Sequence, residues 1–286
     1  MPLVSIIMNC FNGARYLREA LDSVYRQTFK DYEIIFWDNQ STDDSSKIAQ
    51  SYGELLKYFR GENFLPLGAA RNAAIEKASG KYIAFLDCDD IWLPEKLEKQ
   101  VALLESNKAL GLVYSDCYFI NSAGDVAEKT FFFNKSPFRG MAFKELFQEN
   151  LIAILTAIVT REAIEKAGLL NPKYEIGEEY DLWLRIAQFY PIDFIEQPLA
   201  KYQIHQASIS LKKHILNYKE DLQIRGWWLK KNPGLKKELG GRCKALKYWP
   251  IFLGALGNIY RNKSFQSIKE SLGLVKFMLF KEYEKD

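Results

Sequence analysis

With 286 residues, 48% hydrophobic and 26% charged, the chain has the composition of an ordinary folded protein and not of a disordered, collagen-like or coiled-coil one. The length suits one large α/β domain, or such a domain with a helical appendage. The net charge of +3 is lopsided: residues 212–286 carry 17 Lys and Arg against 7 Asp and Glu, which leaves 22 against 29 for residues 1–211.

That asymmetry separates an acidic part, where chemistry is sought, from a basic tail that could meet a membrane surface or pack on the protein. Cys10, Cys88, Cys117 and Cys243 share no CxxC spacing, so neither zinc nor a disulfide framework is expected, and a reducing cytoplasm is the default location. The opening MPLVSIIMNCFN lacks a basic leader and reads as a first buried strand. No run approaches the ~20 apolar residues of a membrane span; 248–260 is interrupted by Pro250, Gly254, Gly257 and Asn258.

Short β-branched or aromatic runs alternate with segments of helical period through the first half. Strands are predicted at 4–8, 33–37, 57–59, 82–86 and 111–114, and helices at 14–25, 44–51, 69–78 and 94–104. Pro94 suits a first helical turn, and Gly80 and Gly168 follow the last periodic residues of their helices. Such alternation implies an α/β fold, a mostly parallel sheet with helices on both faces and ligands at the carboxyl ends of the strands. Further on, helices are expected at 141–150, 161–167 and 181–189, with strands at 154–160, 192–195 and 200–204. Beyond 210 the chain reads as lysine-rich helices carrying Trp227, Trp228 and Trp249.

The strongest local signal is Phe85-Leu86-Asp87-Cys88-Asp89-Asp90-Ile91-Trp92. Three carboxylates within four residues repel one another unless a cation sits among them, and a divalent metal is the economical one. If the extended conformation persists, Asp87 and Asp89 point to one side. Hard oxygen ligands in small number suit Mg²⁺ or Mn²⁺ that keeps waters and binds substrate phosphates. A bare DxD is also a common solvated helix-capping turn. A second acidic turn, Asp38-Asn39-Gln40-Ser41-Thr42-Asp43, places Asp38 and Asn39 at the same edge of the sheet, able to accept from a nucleobase and ribose. Capping of the next helix accounts for Ser41, Thr42 or Asp43.

Taken in order, 4–12 (VSIIMNCFN), Gln27-Thr28-Phe29, Asp38 to Asp43, Gly68-Ala69-Ala70-Arg71-Asn72, Asp87 to Asp90 and Glu178-Glu179-Tyr180-Asp181-Leu182-Trp183 resemble a family 2 inverting glycosyltransferase of the GT-A fold, over about residues 3–210. The resemblance implies a catalytic domain at 1–210 and a basic, Trp-containing helical extension at 211–286. It implies that Asn9, Phe11, Asp38 and Asn39 hold a uridine-type nucleoside, with Phe11 on the base. Arg71 would meet the base or diphosphate, Asp87 the ribose, and Asp89 the metal, with His205 near the diphosphate or metal. Glu179 falls at the usual base aspartate, with Glu178 and Asp181 in reserve. Two departures stand out: Asn39 replaces a frequent aspartate, and Glu179 is one methylene longer.

The implied reaction is transfer of a hexose or N-acetylhexosamine from a nucleotide-diphosphate sugar, a UDP-sugar for preference, to a hydroxyl of a glycan or lipid-linked glycan in bacterial surface polysaccharide assembly. Inversion follows from one-step attack, with a carboxylate taking the acceptor proton. A sugar-phosphate nucleotidyltransferase is the first rival; it would want a Gly-rich basic loop where the chain has Phe11-Asn12-Gly13-Ala14-Arg15. A non-catalytic nucleotide- or glycan-binding module is the second. No base-stacking module supports nucleic acid as a partner, and a homo-oligomer is allowed. Trp92, Tyr180 and Trp183 flank the acidic motifs, where they could stack on sugars, although the helical spacing of Trp183 suits a core.

Overall fold

A computed structural model describes residues 1–205 and 213–239. The chain divides into two compact units, Met1–His205 and Gln206–Asp286. The first unit opens with β1 (Val4–Cys10), α1 (Ala14–Tyr25), β2 (Tyr32–Asp38), α2 (Ser45–Gln50), β3 (Leu56–Arg60), α3 (Leu67–Lys77) and β4 (Tyr82–Phe85). It continues through β5 (Ile91–Trp92), α4 (Lys96–Ser106), the antiparallel pair β6 (Leu112–Asn121) and β7 (Val126–Thr130), and α5 (Phe143–Gln148). A 3₁₀ turn at Ile154–Thr156 leads to β8 (Ile158–Thr160), α6 (Arg161–Ala167), α7 (Glu178–Ala187) and β9 (Ile192–Ile204).

The strands form one sheet in the order β3-β2-β1-β4-β8-β6-β9-β5, with β7 added alongside β6. From β3 to β4 all neighbours are parallel. β8 inserts antiparallel between β4 and β6, and β9 runs parallel to β6. Every residue of β1 is buried, as expected of a central parallel strand covered on both faces. α1 presents Leu17, Ala20, Leu21 and Val24 to that sheet, the spacing of one helical face.

Two expectations change. The strands expected at 192–195 and 200–204 are one strand whose register against β6 jumps: Ser115 faces Ile195, but Asp116 faces Pro198. Pro198 has no N–H to give a ladder, so the chain bulges there instead of ending. The strand expected at 154–160 begins as a 3₁₀ turn. The β6–β7 hairpin and two-residue β5 carry too little pattern to be read beforehand.

Gln27, from the Gln-Thr-Phe motif, is a structural clamp. Its buried amide donates to the carbonyls of Ser23 (3.2 Å) and Leu93 (2.8 Å) and accepts from the Leu97 N–H at 3.0 Å, which ties α1 to β5 and α4. Trp92 and Trp183 are core residues whose indoles donate to the carbonyls of Leu155 and Ile152, and the buried Tyr180 hydroxyl donates to the α5 carbonyls of Leu146 and Phe147. None of the three presents a face to a sugar. In the second unit, α8 (His214–Lys231) and α9 (Pro233–Leu239) are described. Trp227 and Trp228 meet edge to face on α8, whereas Trp249 and the rest of the expected basic helices lie outside the described residues. No helix among the described residues is long and apolar enough to cross a membrane.

Candidate active site

β1, β2 and β4 end at one edge of the sheet, and the sequence runs outward to one side of β1 before returning to the other at β4. A crevice at that reversal is where open α/β sheets bind ligands. Two loops are laced together over it. Asn12, with φ +53°, accepts from the Thr42 N–H at 2.8 Å, and the Asn12, Gly13 and Ala14 N–H groups donate to Ser41, Ser45 and Asp43, each at 3.0 Å.

The nucleoside residues fall into two groups. Asn9, at the end of β1, is 8% exposed, and neither its amide nitrogen nor its oxygen has a hydrogen-bond partner. Buried amides are nearly always paired, so this one is available to a ligand. Phe11 is 50% exposed and packs edge to face with the exposed Phe64, centroids 4.9 Å apart. Asp38 is instead fully buried: it accepts from the Ser41 N–H (2.7 Å), the Tyr58 hydroxyl (2.6 Å) and Arg60 (2.9 Å). Asn39 pairs through both amide atoms with the Leu65 backbone, at 2.8 and 3.0 Å. In this structure, Asp38 and Asn39 hold the loops that follow β2 and β3 in place. Phe64 was not singled out from the sequence, where it is one of 19 phenylalanines in a turn without periodicity.

The acidic turn departs from the extended geometry expected of it. β4 ends at Phe85, and the Asp90 N–H donates to the Asp87 carbonyl at 3.1 Å, closing a turn that gives the three carboxylates separate partners. Asp87 receives Arg71 Nη2 at 2.7 and 3.0 Å on its two oxygens. Asp89 Oδ2 lies 2.8 Å from His205 Nε2. Asp90 is buried and accepts the Gln203 N–H at 2.8 Å. Burial, then the charges of Asp89 and Asp87, push the Asp90 carboxyl well above its usual range. Burial and Asp87 also raise Asp89, and His205 opposes them. The protein thus supplies part of the positive charge that the sequence argument had given wholly to a metal.

Arg71, expected on the base or diphosphate, is buried between carboxylates from distant segments. Besides Asp87 it donates to Glu178 at 2.5 Å and lies 3.7 Å from Glu179. Gly68 allows the approach: a Cβ there would stand 3.2 Å from Glu178 Cγ. Glu178 and Glu179 open α7, where the helix dipole favours negative charge. The Glu179 side chain keeps 22% exposure. Burial, then the neighbouring Glu178 and Asp87, lift its carboxyl from about 4.5 to about 8 against the pull of Arg71. Asp181 is committed elsewhere: it pairs at 2.9 Å with Arg185, which also donates to the carbonyls of Ala167, Gly168 and Leu169. Of the three acidic candidates, only Glu179 is a partly exposed carboxylate with its pKa moved into the range of a base at neutral pH.

Among the described residues, no cluster of three or more His, Cys, Asp or Glu side chains could hold a metal ion. Asp89 and His205 nevertheless fit as half of one: a carboxylate oxygen and an imidazole nitrogen side by side, leaving the remaining positions of Mg²⁺ or Mn²⁺ to phosphate oxygens and water. His205 is itself set by Tyr16, whose ring lies 4.8 Å from the imidazole. Tyr16 went unremarked in the sequence because 189 residues separate the two.

Comparison with known proteins agrees with this architecture. The family model for glycosyl transferase family 2 matches residues 5–168, ending before Glu178, Glu179 and His205. An uncharacterized glycosyltransferase of Methanocaldococcus jannaschii is 31% identical over 261 residues, covering 89% of this chain and 87% of that protein. The Escherichia coli UDP-Glc:alpha-D-GlcNAc-diphosphoundecaprenol beta-1,3-glucosyltransferase WfgD is 31% identical over 217 residues, 74% of this chain and 81% of its own. The chain spans less than two thirds of the length of several Rickettsia relatives that it also matches. In fold it is similar to the mannosyltransferase PcManGT of Pyrobaculum calidifontis, solved with GDP-Man and Mn²⁺, at TM-score 0.66 and 18% identity over 99% of this chain and 82% of that one. With the family model covering more than half its length, this chain belongs to glycosyl transferase family 2, and it is a glycosyltransferase of the GT-A fold.

Proposed function

We propose that the enzyme moves a hexose or N-acetylhexosamine from a UDP-sugar to a hydroxyl of a glycan or lipid-linked glycan, with inversion, in the assembly of a surface polysaccharide. The observation that carries this is the convergence on Arg71 of the acidic turn after β4 and the carboxylates at the head of α7. It sets a donor-side carboxylate and a base candidate on opposite sides of one guanidinium. The UDP-Glc named for WfgD supports a uridine donor and a lipid-diphosphate-linked acceptor.

In this reading the base stands against Phe11 and within reach of the unpaired Asn9 amide, and Phe64 extends the aromatic wall. Asp87, held by Arg71, receives the ribose hydroxyls. Asp89 and His205 would hold Mg²⁺ or Mn²⁺, which when bound neutralises charge on the departing diphosphate. Glu179 takes the proton from the acceptor hydroxyl as that oxygen attacks the anomeric carbon from the far face. Glu178 keeps Arg71 turned toward the acidic turn, and its negative charge makes Glu179 a stronger base. The enzyme works at the cytoplasmic side, and the basic residues of 211–286 provide peripheral membrane contact or pack on the protein.

A screen of nucleotide sugars for release of nucleoside diphosphate, with and without EDTA, tests the reading. Turnover of one UDP-sugar, lost on chelation and restored by Mn²⁺ or Mg²⁺, is the expected result. Release that continues undiminished in EDTA would remove the metal from the account. Binding without turnover for every donor and acceptor would favour a non-catalytic module.

A further inference from the structure

Two thiols with no part in the transfer chemistry lie together against Gly13, just beyond the ends of β1 and β4. The parallel ladder of β1 and β4 pairs Ile7 with Phe85, and Leu86 extends it by donating to the Ile7 carbonyl at 3.0 Å. Three residues past each member of that pair stand Cys10 and Cys88. Both are free cysteines, and their sulfurs both come up against Gly13. Gly13 marks how closely they are packed: a Cβ there would lie 2.9 Å from Cys10 Sγ and 2.6 Å from Cys88 Sγ, a space only glycine leaves open.

The position of the pair gives it leverage. Cys88 lies between Asp87, held by Arg71 at 2.7 Å, and Asp89, held against His205 at 2.8 Å. Drawing its sulfur to a bonding distance of about 2.05 Å from Cys10 moves the backbone that carries both carboxylates.

We propose that Cys10 and Cys88 are an oxidisable dithiol, closed to a disulfide by a hydroperoxide, and that closure displaces Asp87 and Asp89 and stops donor binding until a thiol reductant reopens it. The effect on donor binding rests on the function proposed above; formation of the disulfide does not. One thiol of the pair gives an electron pair to the outer peroxide oxygen. The O–O bond breaks, that sulfur becomes a sulfenic acid, and water or an alcohol leaves. The other sulfur then attacks it; the S–S bond forms, the S–O bond breaks, and water carries off the oxygen with the thiol proton. Two electrons pass from the thiols to the peroxide in all.

The test treats the reduced full-length protein with hydrogen peroxide, alkylates the remaining thiols and maps peptides by mass spectrometry, with UDP-sugar binding measured in Mn²⁺ before and after. The expected result is a Cys10–Cys88 crosslinked peptide, loss of two free thiols, and loss of donor binding that dithiothreitol restores. Cys88→Ala and Cys10→Ala should retain donor binding through the same treatment, and Cys117→Ala should respond as the parent does. Absence of the crosslink in folded protein overturns the proposal, and that readout needs no variant. A crosslink that leaves donor binding intact overturns the switch, as does equal loss of binding in Cys88→Ala. If the reduced protein binds no nucleotide sugar, the proposed function falls and takes the switch with it, while the peptide map still decides whether the thiols pair.

Discussion

Arg71 on α3 and Glu178 on α7, 107 residues apart, meet in a buried 2.5 Å hydrogen bond, and the same guanidinium reaches Asp87 on its other side. Removing the cation by Arg71→Met takes the partner from two carboxylates that face it. Losing one side of a buried ion pair costs about 3–5 kcal/mol, and the lower end applies here because the Asp87 side chain is 32% exposed. Arg71→Lys keeps the charge but not the fork that serves both carboxylates, so its urea midpoint should lie between wild type and Arg71→Met. Equal stability of all three proteins would show that the bridge is unimportant.

Replacing Glu179 by Gln preserves size and removes the proton acceptor, so turnover should fall by about 10²–10⁴ while donor affinity stays near wild type. A base works deprotonated, and this carboxyl is lifted to about 8 by burial and Glu178. The kcat/KM for acceptor should therefore climb as pH rises toward about 8 and level off above it. Glu178→Gln removes a neighbouring negative charge and should move the rising limb to lower pH. A flat profile, or full activity in Glu179→Gln, would reassign the base.

Lys96 is buried, donates to Gln100 at 2.6 Å and sits 4.2 Å from the centre of the Trp92 ring. Burial pushes its ammonium well below the usual lysine range. Between that lowered value and about 10.4 the unfolded chain binds more protons than the native one, so stability rises with pH through this window. Lys96→Met should flatten the rise and cost about 1–3 kcal/mol at neutral pH, because the buried Gln100 oxygen loses its donor. Urea midpoints at several pH values, compared between the two proteins, check both parts; parallel curves would show that Lys96 does not titrate differently on folding.

Much of this molecule is legible in its linear order, for identifiable reasons. α1 and α6 begin and end where periodicity placed them, because α1 buries a regular face and α6 carries its own end signals, the Thr160 cap and Gly168. The acidic turns were found because carboxylates directly after apolar strands are conspicuous. Their partners were not. The turn at Asp87–Asp90 replaced the extended run that would have aligned Asp87 with Asp89, since a backbone bond to the Asp87 carbonyl closes it. Asp38, promising as a ligand by position, is occupied by Tyr58 and Arg60 of the neighbouring strand, a pairing that exists only once β2 and β3 lie side by side. The single strand β9 escaped because Pro198 looks like a stop, and a bulge allows pairing to resume beyond it.

From residue order alone came the alternation of strands and helices, the edge at which ligands gather and the types of side chain gathered there, because these depend on periodicity and on neighbours within a few positions. Tertiary structure decided which carboxylate keeps its freedom, which is clamped, and which two sulfurs are brought to the same glycine. Charges and thiols interact over a few ångströms of space, and the fold, by laying β4, α3, α7 and β9 around one crevice, sets those distances between residues that the chain holds far apart.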